Sequence, residues 1–396
     1  MIFLALIYLA FISLGLPDSL LGSSWPLMYG DYGVPVGNAG FISIIISTGT
    51  IISSLFSHRV IRRFGTGKVT VVSVTFTAIA LLGFSLSPSF LWLMACAIPL
   101  GIGAGAVDSG LNEFVAEHYE AKHMNWLHCS WGIGAMLGPI LISALTQSSF
   151  SWRSGYKSIS VIQFILVALL LFSLPMWRKF ENPGLEAQEV EKQAKNKTQG
   201  VFAPLQAKGA IFAMLTFFLY TSVENSMMLW GASYLVNIKD IRPESAAGWV
   251  SLFFLGITAG RALSGFISMK LSNEALIRIG SILLIAGLVI MLLPLPASFT
   301  MIGFIVVGLG LAPIFPCMLH QTPIYFKKEN AQAAMGLQMA FAYCGTTLMP
   351  PLFGQIFAHV SFSLMPYLLL FSGIAMFACT ARLTMSAKKG FAAQEL

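Results

Sequence analysis

The sequence predicts an all-α integral membrane protein of about twelve transmembrane helices, arranged as two six-helix bundles related by pseudo-two-fold symmetry. Three observations carry this. Hydrophobic residues make up 56% and charged residues 10% of the 396 positions, whereas a soluble domain is roughly one quarter charged, so there is too little polar side chain to coat a water-facing surface. Apolar stretches of about twenty residues, the length that crosses the hydrocarbon layer as a helix, recur from the first residues almost to the last. Features of the first half return in the second at an offset of 206 or 207, on either side of one long charged stretch.

Spans begin near Met1, Val36, Val69, Leu91, Asn125 and Ser158, then near Lys208, Ala247, Ala275, Phe299, Ala331 and Ser361. Each runs about 20 to 28 residues, the surplus being absorbed by tilt. The first lacks the basic leading region and small-residue cleavage site of a secretory signal, and a polar turn leads from it into the next, so it is expected to be the first helix. Pro17, Pro139, Pro313, Pro316 and Pro350-Pro351 are expected to interrupt spans one, five, ten and eleven, because each removes a backbone donor and frees a carbonyl. Between spans six and seven, Glu181, Glu186, Glu189 and Glu191 alternate with lysines, the pattern of a solvated linker. The domains expected are therefore a first bundle over 1–177, a linker over 178–207 and a second bundle over 208–396.

Charge orients the chain. With the N-terminus inside, 18 of the 23 Lys and Arg fall on the cytoplasmic side and four, Arg153, Lys157, Lys239 and Arg242, outside, leaving Arg261 within a span. Basic residues are retained on the cytoplasmic side of a membrane, so both termini and the linker are expected there, in a bacterial inner membrane. The glycosylation-like Asn196-Lys197-Thr198 then lies on the wrong side to be modified. The net charge of +7 reflects this asymmetry rather than a nucleic-acid surface. The five cysteines, Cys96, Cys129, Cys317, Cys344 and Cys379, lie in apolar segments without metal-ligand or redox spacing. No metal site or cofactor is expected.

The halves echo each other. Gly49 corresponds to Gly256 and Gly101-Ile102-Gly103 to Gly308-Leu309-Gly310, both at an offset of 207, while Asp18 corresponds to Glu224 at 206. A six-helix unit repeated in parallel suits two bundles rocking about a midplane site.

An ionised group in mid-span costs about 2.5 to 3.5 kcal/mol on insertion scales, which makes each a functional candidate. Asp18, Asp108, Glu224 and Arg261 qualify. Helical rise places Asp18 and Glu224 in the outer half and Asp108 and Arg261 in the inner half. Asp108 and Asn112, four apart on one helix face, can present an acceptor and an amide to a hydroxyl-rich solute or a proton; the plainer reading is an acid satisfied by a neighbouring helix. Arg261 is expected to pair with Asp108 or Glu113 when the inner side closes. His128 can relay protons or simply pack. Trp131 and Trp230 are candidates to stack on a sugar ring, Asn225 and Gln338 to line a cavity, and each can equally serve helix packing. Trp25 and Trp177 read as interfacial anchors. The chain carries no Gly-x-Ser-x-Gly, no His-Glu-x-x-His and no phosphate-cradling loop, which argues against an enzyme or an ATP-driven pump.

The whole pattern resembles the major facilitator superfamily. The loop Arg59-Val-Ile-Arg62-Arg63-Phe-Gly65-Thr-Gly-Lys68 resembles that superfamily's signature loop, with Arg62 where an aspartate is usual, which makes Arg62 and Arg63 gating candidates; Arg261 and Glu113 are gating candidates because an unpaired cation in a span is costly and a pair that breaks on opening makes an inner gate. Asp18 after Gly15-Leu-Pro, Asp108 before Asn112, Glu224, Gly260-Arg261 and Ala312-Pro-Ile-Phe-Pro316 are similar to the fucose-permease-like branch, which also resembles sodium-dependent glucose transporters. That branch implies proton coupling and sugar recognition at Asp18 and Asp108; Glu224 joins them as a cation-coupling candidate because the acids alternate in height along the cavity. The function expected is secondary active symport of a sugar or sugar acid by alternating access, driven by H+ or Na+, with a small-molecule substrate, the lipid bilayer as surroundings, no nucleic acid and a functional monomer. Gly134-Ala-Met-Leu-Gly138-Pro139 fits the pattern of drug/proton antiporters, with Ile140-Leu141-Ile142 replacing its trailing glycines. Efflux by H+ antiport is therefore the alternative, ahead of a non-transporting receptor; close packing of spans five and eight is the structural reading of the same motif.

Overall fold

The computed structural model describes residues 2–177 and 209–392. The first half comprises α1 (Ile2–Asp18), α2 (Leu20–Met28), α3 (Ala39–Phe64), α4 (Thr66–Ser85), α5 (Phe90–His118), α6 (Ala121–Gln147) and α7 (Trp152–Trp177). The second comprises α8 (Ala210–Lys239), α9 (Pro243–Ile267), α10 (Asn273–Leu292), α11 (Ala297–Leu311), α12 (Ile314–Tyr325), α13 (Lys327–His359) and α14 (Met365–Ala392). Ten helical stretches among the described residues are long and apolar enough to cross a membrane. The more polar α8 and α13, of 30 and 33 residues, complete two bundles of six crossings. The expected linker over 178–207, with Asn196, lies outside the described residues.

Local chemistry sets the ends. The Ser89 and Ser272 hydroxyls cap α5 and α10 by accepting from the Trp92 and Ala275 amides. Gly65 turns α3 into α4 with φ +84°, a conformation open to glycine, which accounts for the glycine in the basic loop. Span six begins at Trp152 rather than Ser158. Its first turns accommodate Arg153 and Lys157 because a long basic side chain can lie at a helix end with its charge outside the apolar layer, and Arg153 there meets Asp31 at 2.8 Å.

The first crossing breaks between α1 and α2, and the tenth between α11 and α12, at prolines as expected. Pro139 and Pro350-Pro351, by contrast, sit inside unbroken α6 and α13. Packing overrides the sequence signal there: Gly40 of α3 lies directly against Pro351 and braces it. At Pro17 the freed Ser13 carbonyl is taken by the Gln163 amide of α7 at 2.6 Å, in a fully buried setting. Gln163→Leu is expected to cost about 1–3 kcal/mol by stranding that carbonyl. Thermal unfolding in detergent measures it, and adding Pro17→Ala, which restores an amide donor to Ser13, should recover much of the loss.

The echoing glycines make the same contact in each half. Gly49 of α3 lies on Gly101 of α5, and Gly256 of α9 lies on Gly308 of α11, with no room for a Cβ at either crossing. Gly134 and Gly138 of α6 close onto the Ile12 and Leu16 carbonyls of α1. The motif resembling drug antiporters is therefore a seam between spans five and one, not five and eight; in the latter contact it is Gly132 that meets Thr258.

The halves join through α6 with α9, α3 with α13, and α2 with α8. It is α2, the far part of the first crossing, that packs on α8. At this end, away from both termini, Gly22 seats on the Met228 and Leu229 backbone, Gly40 on Pro351, and the Ser143 hydroxyl donates to the Glu244 carbonyl at 2.7 Å. Trp25 and Trp177, expected as interfacial anchors, are instead fully buried. Trp25 donates to the Val36 carbonyl at 2.6 Å and Trp177 to the Ser173 hydroxyl at 3.1 Å, so each finds its polar partner within the bundle.

Candidate functional site

Between the halves lies a cavity of about 240 Å³. The break after Pro17 brings Asp18 into its wall, and α8 contributes Glu224 and Asn225 from the other side. Trp131 of α6 stands between them. Its indole N–H donates to Asp18 Oδ2 at 2.8 Å, and the Arg261 guanidinium lies over its ring, 5.4 Å from the centroid. Arg261 Nη2 reaches Glu224 Oε1 at 3.5 Å, and the Tyr220 hydroxyl donates to the same oxygen at 2.9 Å. A continuous polar chain thus runs Asp18, Trp131, Arg261, Glu224, Tyr220, with two members from the first half and three from the second. A cation beside an aromatic face and a carboxylate, shielded from bulk water, is held more strongly than at a surface.

The pairing of Arg261 with Asp108 or Glu113 was expected for the state in which the inner side closes; here the seam of Gly22, Gly40 and Ser143 at the opposite end is the closed one, and Arg261 pairs with Glu224. The contact joins α9 to α8, so acid and base of the same half pair. Glu113 instead meets His58 Nδ1 at 3.1 Å at the exposed end of α5. Asp108 is not in the cavity wall; it lies one helical turn beyond Ala104, which is. Its Oδ1 accepts from Asn112 Nδ2 at 2.9 Å, so the pair expected to face a solute is turned upon itself along the helix.

Asn225 lines the cavity, its amide donating to the Thr346 hydroxyl of α13 at 3.1 Å. Trp230 and Gln338 do not line it. Trp230 is wholly buried and donates to the Pro350 carbonyl at 2.7 Å, while Gln338, equally buried, accepts from the Thr322 hydroxyl at 2.9 Å. Both tie helices within the second half, the alternative the residue types had left open. Arg62 and Arg63 are exposed at the end of α3, Arg63 stacking on Phe64. His128 packs edge-on to Phe11.

Several wall residues were not singled out from sequence. Ser43, Ser47 and Thr50 recur at helical spacing on one face of α3, and Tyr343 and Thr346 on one face of α13. The period of these hydroxyls was legible; that both faces meet across the cavity was not. Tyr220 was legible as the residue four before Glu224.

The Major Facilitator Superfamily model matches residues 7–331 and 212–395 of this chain. The glucose/mannose transporter GlcP of Bacillus subtilis (strain 168) is 25% identical over 328 residues, covering 81% of this chain and 80% of that protein. The cis,cis-muconate transport protein of Acinetobacter baylyi (strain ATCC 33305 / BD413 / ADP1) is 22% identical over 287 residues, 69% of this chain and 68% of that one. Among solved structures, a D-xylose-proton symporter superposes with a TM-score of 0.75 at 14% identity, covering 96% of each chain. With its two bundles of six crossings and, between them, a cavity that carries Asp18, Glu224 and Asn225 in a largely apolar wall, the chain belongs to the Major Facilitator Superfamily and is a membrane transporter of small solutes.

Proposed function

We propose that this transporter carries a monosaccharide-sized sugar or sugar acid, coupled to a cation, by alternating access across a bacterial inner membrane. The observation that carries this reading is the chain from Asp18 through Trp131 and Arg261 to Glu224, which places an acid of each half on one cavity and links them. A cation bound or released at one acid changes the pairing available to the other, and that is the coupling a symporter needs. Ser43, Ser47, Asn225 and Thr346 offer hydroxyl and amide groups suited to a polyhydroxylated solute.

Size favours a sugar over a drug. Pockets for drug-sized ligands run about 300–1,000 Å³, and this cavity falls just below that range. The similarity to a glucose/mannose transporter and to a D-xylose-proton symporter supports the same class. With the basic face taken as cytoplasmic, the seam of Gly22, Gly40 and Ser143 closes the outer end, and rocking about the α6–α9 and α3–α13 contacts exposes the cavity to either side in turn. The coupling ion is proposed to be H+, with Na+ as the second arm of the test.

Purified protein in proteoliposomes should accumulate labelled hexose or pentose when the outside is made acidic, and lose accumulation when the pH gradient is collapsed. Accumulation driven by Na+ alone would reassign the ion. Exchange of amphiphilic compounds without any monosaccharide or sugar-acid flux would reject the proposed substrate class.

A further inference from the structure

The cavity between the halves is acidic on one side of the ledger and has no free cation on the other. Among the described residues no Lys, Arg or His lines it, and the charged groups in its wall are the carboxylates of Asp18 and Glu224. Arg261 stands just behind them, over the Trp131 ring, with its Nη2 held 3.5 Å from Glu224 Oε1. Its charge is thereby cancelled at the edge of the cavity. On the sugar-transport reading above, we infer that Glu224 sets the charge of the accepted solute: by holding Arg261 it restricts transport to uncharged sugars and excludes sugar acids of the same size. Glu224 acts here through Arg261, as a specificity-determining residue.

An anionic sugar meets an obstacle in either state of the coupling acid. With Asp18 ionised, a solute carboxylate shares a small cavity with a like charge. With Asp18 protonated that repulsion is gone, but the solute carboxylate still gives up its hydration without a counter-charge, because the Arg261 guanidinium is already paired. Glu224 is fixed from two sides, by Arg261 and by the Tyr220 hydroxyl at 2.9 Å, so an incoming carboxylate has to displace it. A neutral sugar meets neither cost. Its hydroxyls can bond to Ser43 and Ser47, which line the wall and make no hydrogen bond among the described residues. An amide in place of the Glu224 carboxylate reverses the selection. Arg261 keeps its place over Trp131, itself a wall residue, and its charge becomes available to a solute.

The test is counterflow in proteoliposomes at neutral pH without a gradient, with labelled glucose, galactose and xylose as uncharged probes and glucuronate and galacturonate as anions of the same ring configurations. The parent should exchange at least one of the sugars, and the corresponding uronate at least about tenfold more slowly, as one uncompensated buried charge implies. Glu224→Gln should raise the uronate-to-sugar ratio at least about tenfold, and adding Arg261→Gln should return it to the parental value. Glu224→Met, of similar length and equally uncharged, is the second variant and should behave as Glu224→Gln does. Thermal unfolding in detergent reads the same selection without transport: glucuronate or galacturonate should raise the Tm of Glu224→Gln but not that of the parent or the double variant. Uronate exchange by the parent at the rate of the sugar would overturn the role of Glu224. So would uncharged variants at 224 that exchange sugar yet neither exchange uronate nor gain stability from it, or a gain that survives Arg261→Gln. A parent that exchanges neither kind of solute would instead sink the sugar-transport reading, and the role of Glu224 with it.

Discussion

Asp18→Asn is expected to abolish gradient-driven accumulation while counterflow of the same solute persists. The amide keeps an oxygen to accept from the Trp131 indole, which now holds Asp18 at 2.8 Å, but it cannot take up or release a proton. Coupling free energies between two ligands correspond to about 5- to 150-fold in affinity, and that factor should vanish from the accumulation ratio. Asp108→Asn is the informative companion. Asp108 lies outside the cavity wall and accepts from Asn112 of its own helix, so its replacement should leave at least a large part of the accumulation. Were the two variants to behave the other way round, the coupling carboxylate would be Asp108, and the route from Asp18 to Arg261 would serve packing alone.

Arg261→Gln should carry the largest penalty to the folded state. It leaves Glu224, whose side chain is 16% exposed, with the Tyr220 hydroxyl but without its cation. Removing one partner of a buried pair costs about 3–5 kcal/mol. The low end applies here, because both side chains retain some exposure and the 3.5 Å separation is not a tight bidentate contact. Thermal unfolding should show a clear loss for Arg261→Gln and for its transport rate, and Arg261→Gln with Glu224→Gln should recover stability without recovering coupled transport. If the double variant were no more stable than the single one, the cost would come from the lost cation–π contact with Trp131 rather than from a stranded carboxylate.

These two expectations mark where sequence reading stops. Asp18, Glu224 and Arg261 stood out because a charge in an apolar stretch is expensive wherever the helix is placed, and that cost depends on the segment, not on its neighbours. Trp131 was noticed as a ring for stacking on a solute, yet its use here is a donor to Asp18 and a face for Arg261, roles set by which helices adjoin α6. Trp230 and Gln338 looked similar to Asn225 on residue type, and only the packing of α13 against α8 separates wall from interior. Pro17 and Pro139 carry the same backbone defect; one breaks its helix and the other does not.

What the amino-acid sequence determined by itself is therefore the class of solvent, the number of crossings, the repeat and the small set of costly charges, because apolar length, glycine offset and ionisation are properties of single segments. The tertiary structure decided the partners. Arg261 met Glu224 of its own half, the glycines of α6 met α1, and the hydroxyl faces of α3 and α13 met across one cavity. Helical periodicity tells which residues share a face but carries no term for the helix opposite, and pairing energies fall off within a few ångströms, so a shift of one turn in register exchanges one partner for another.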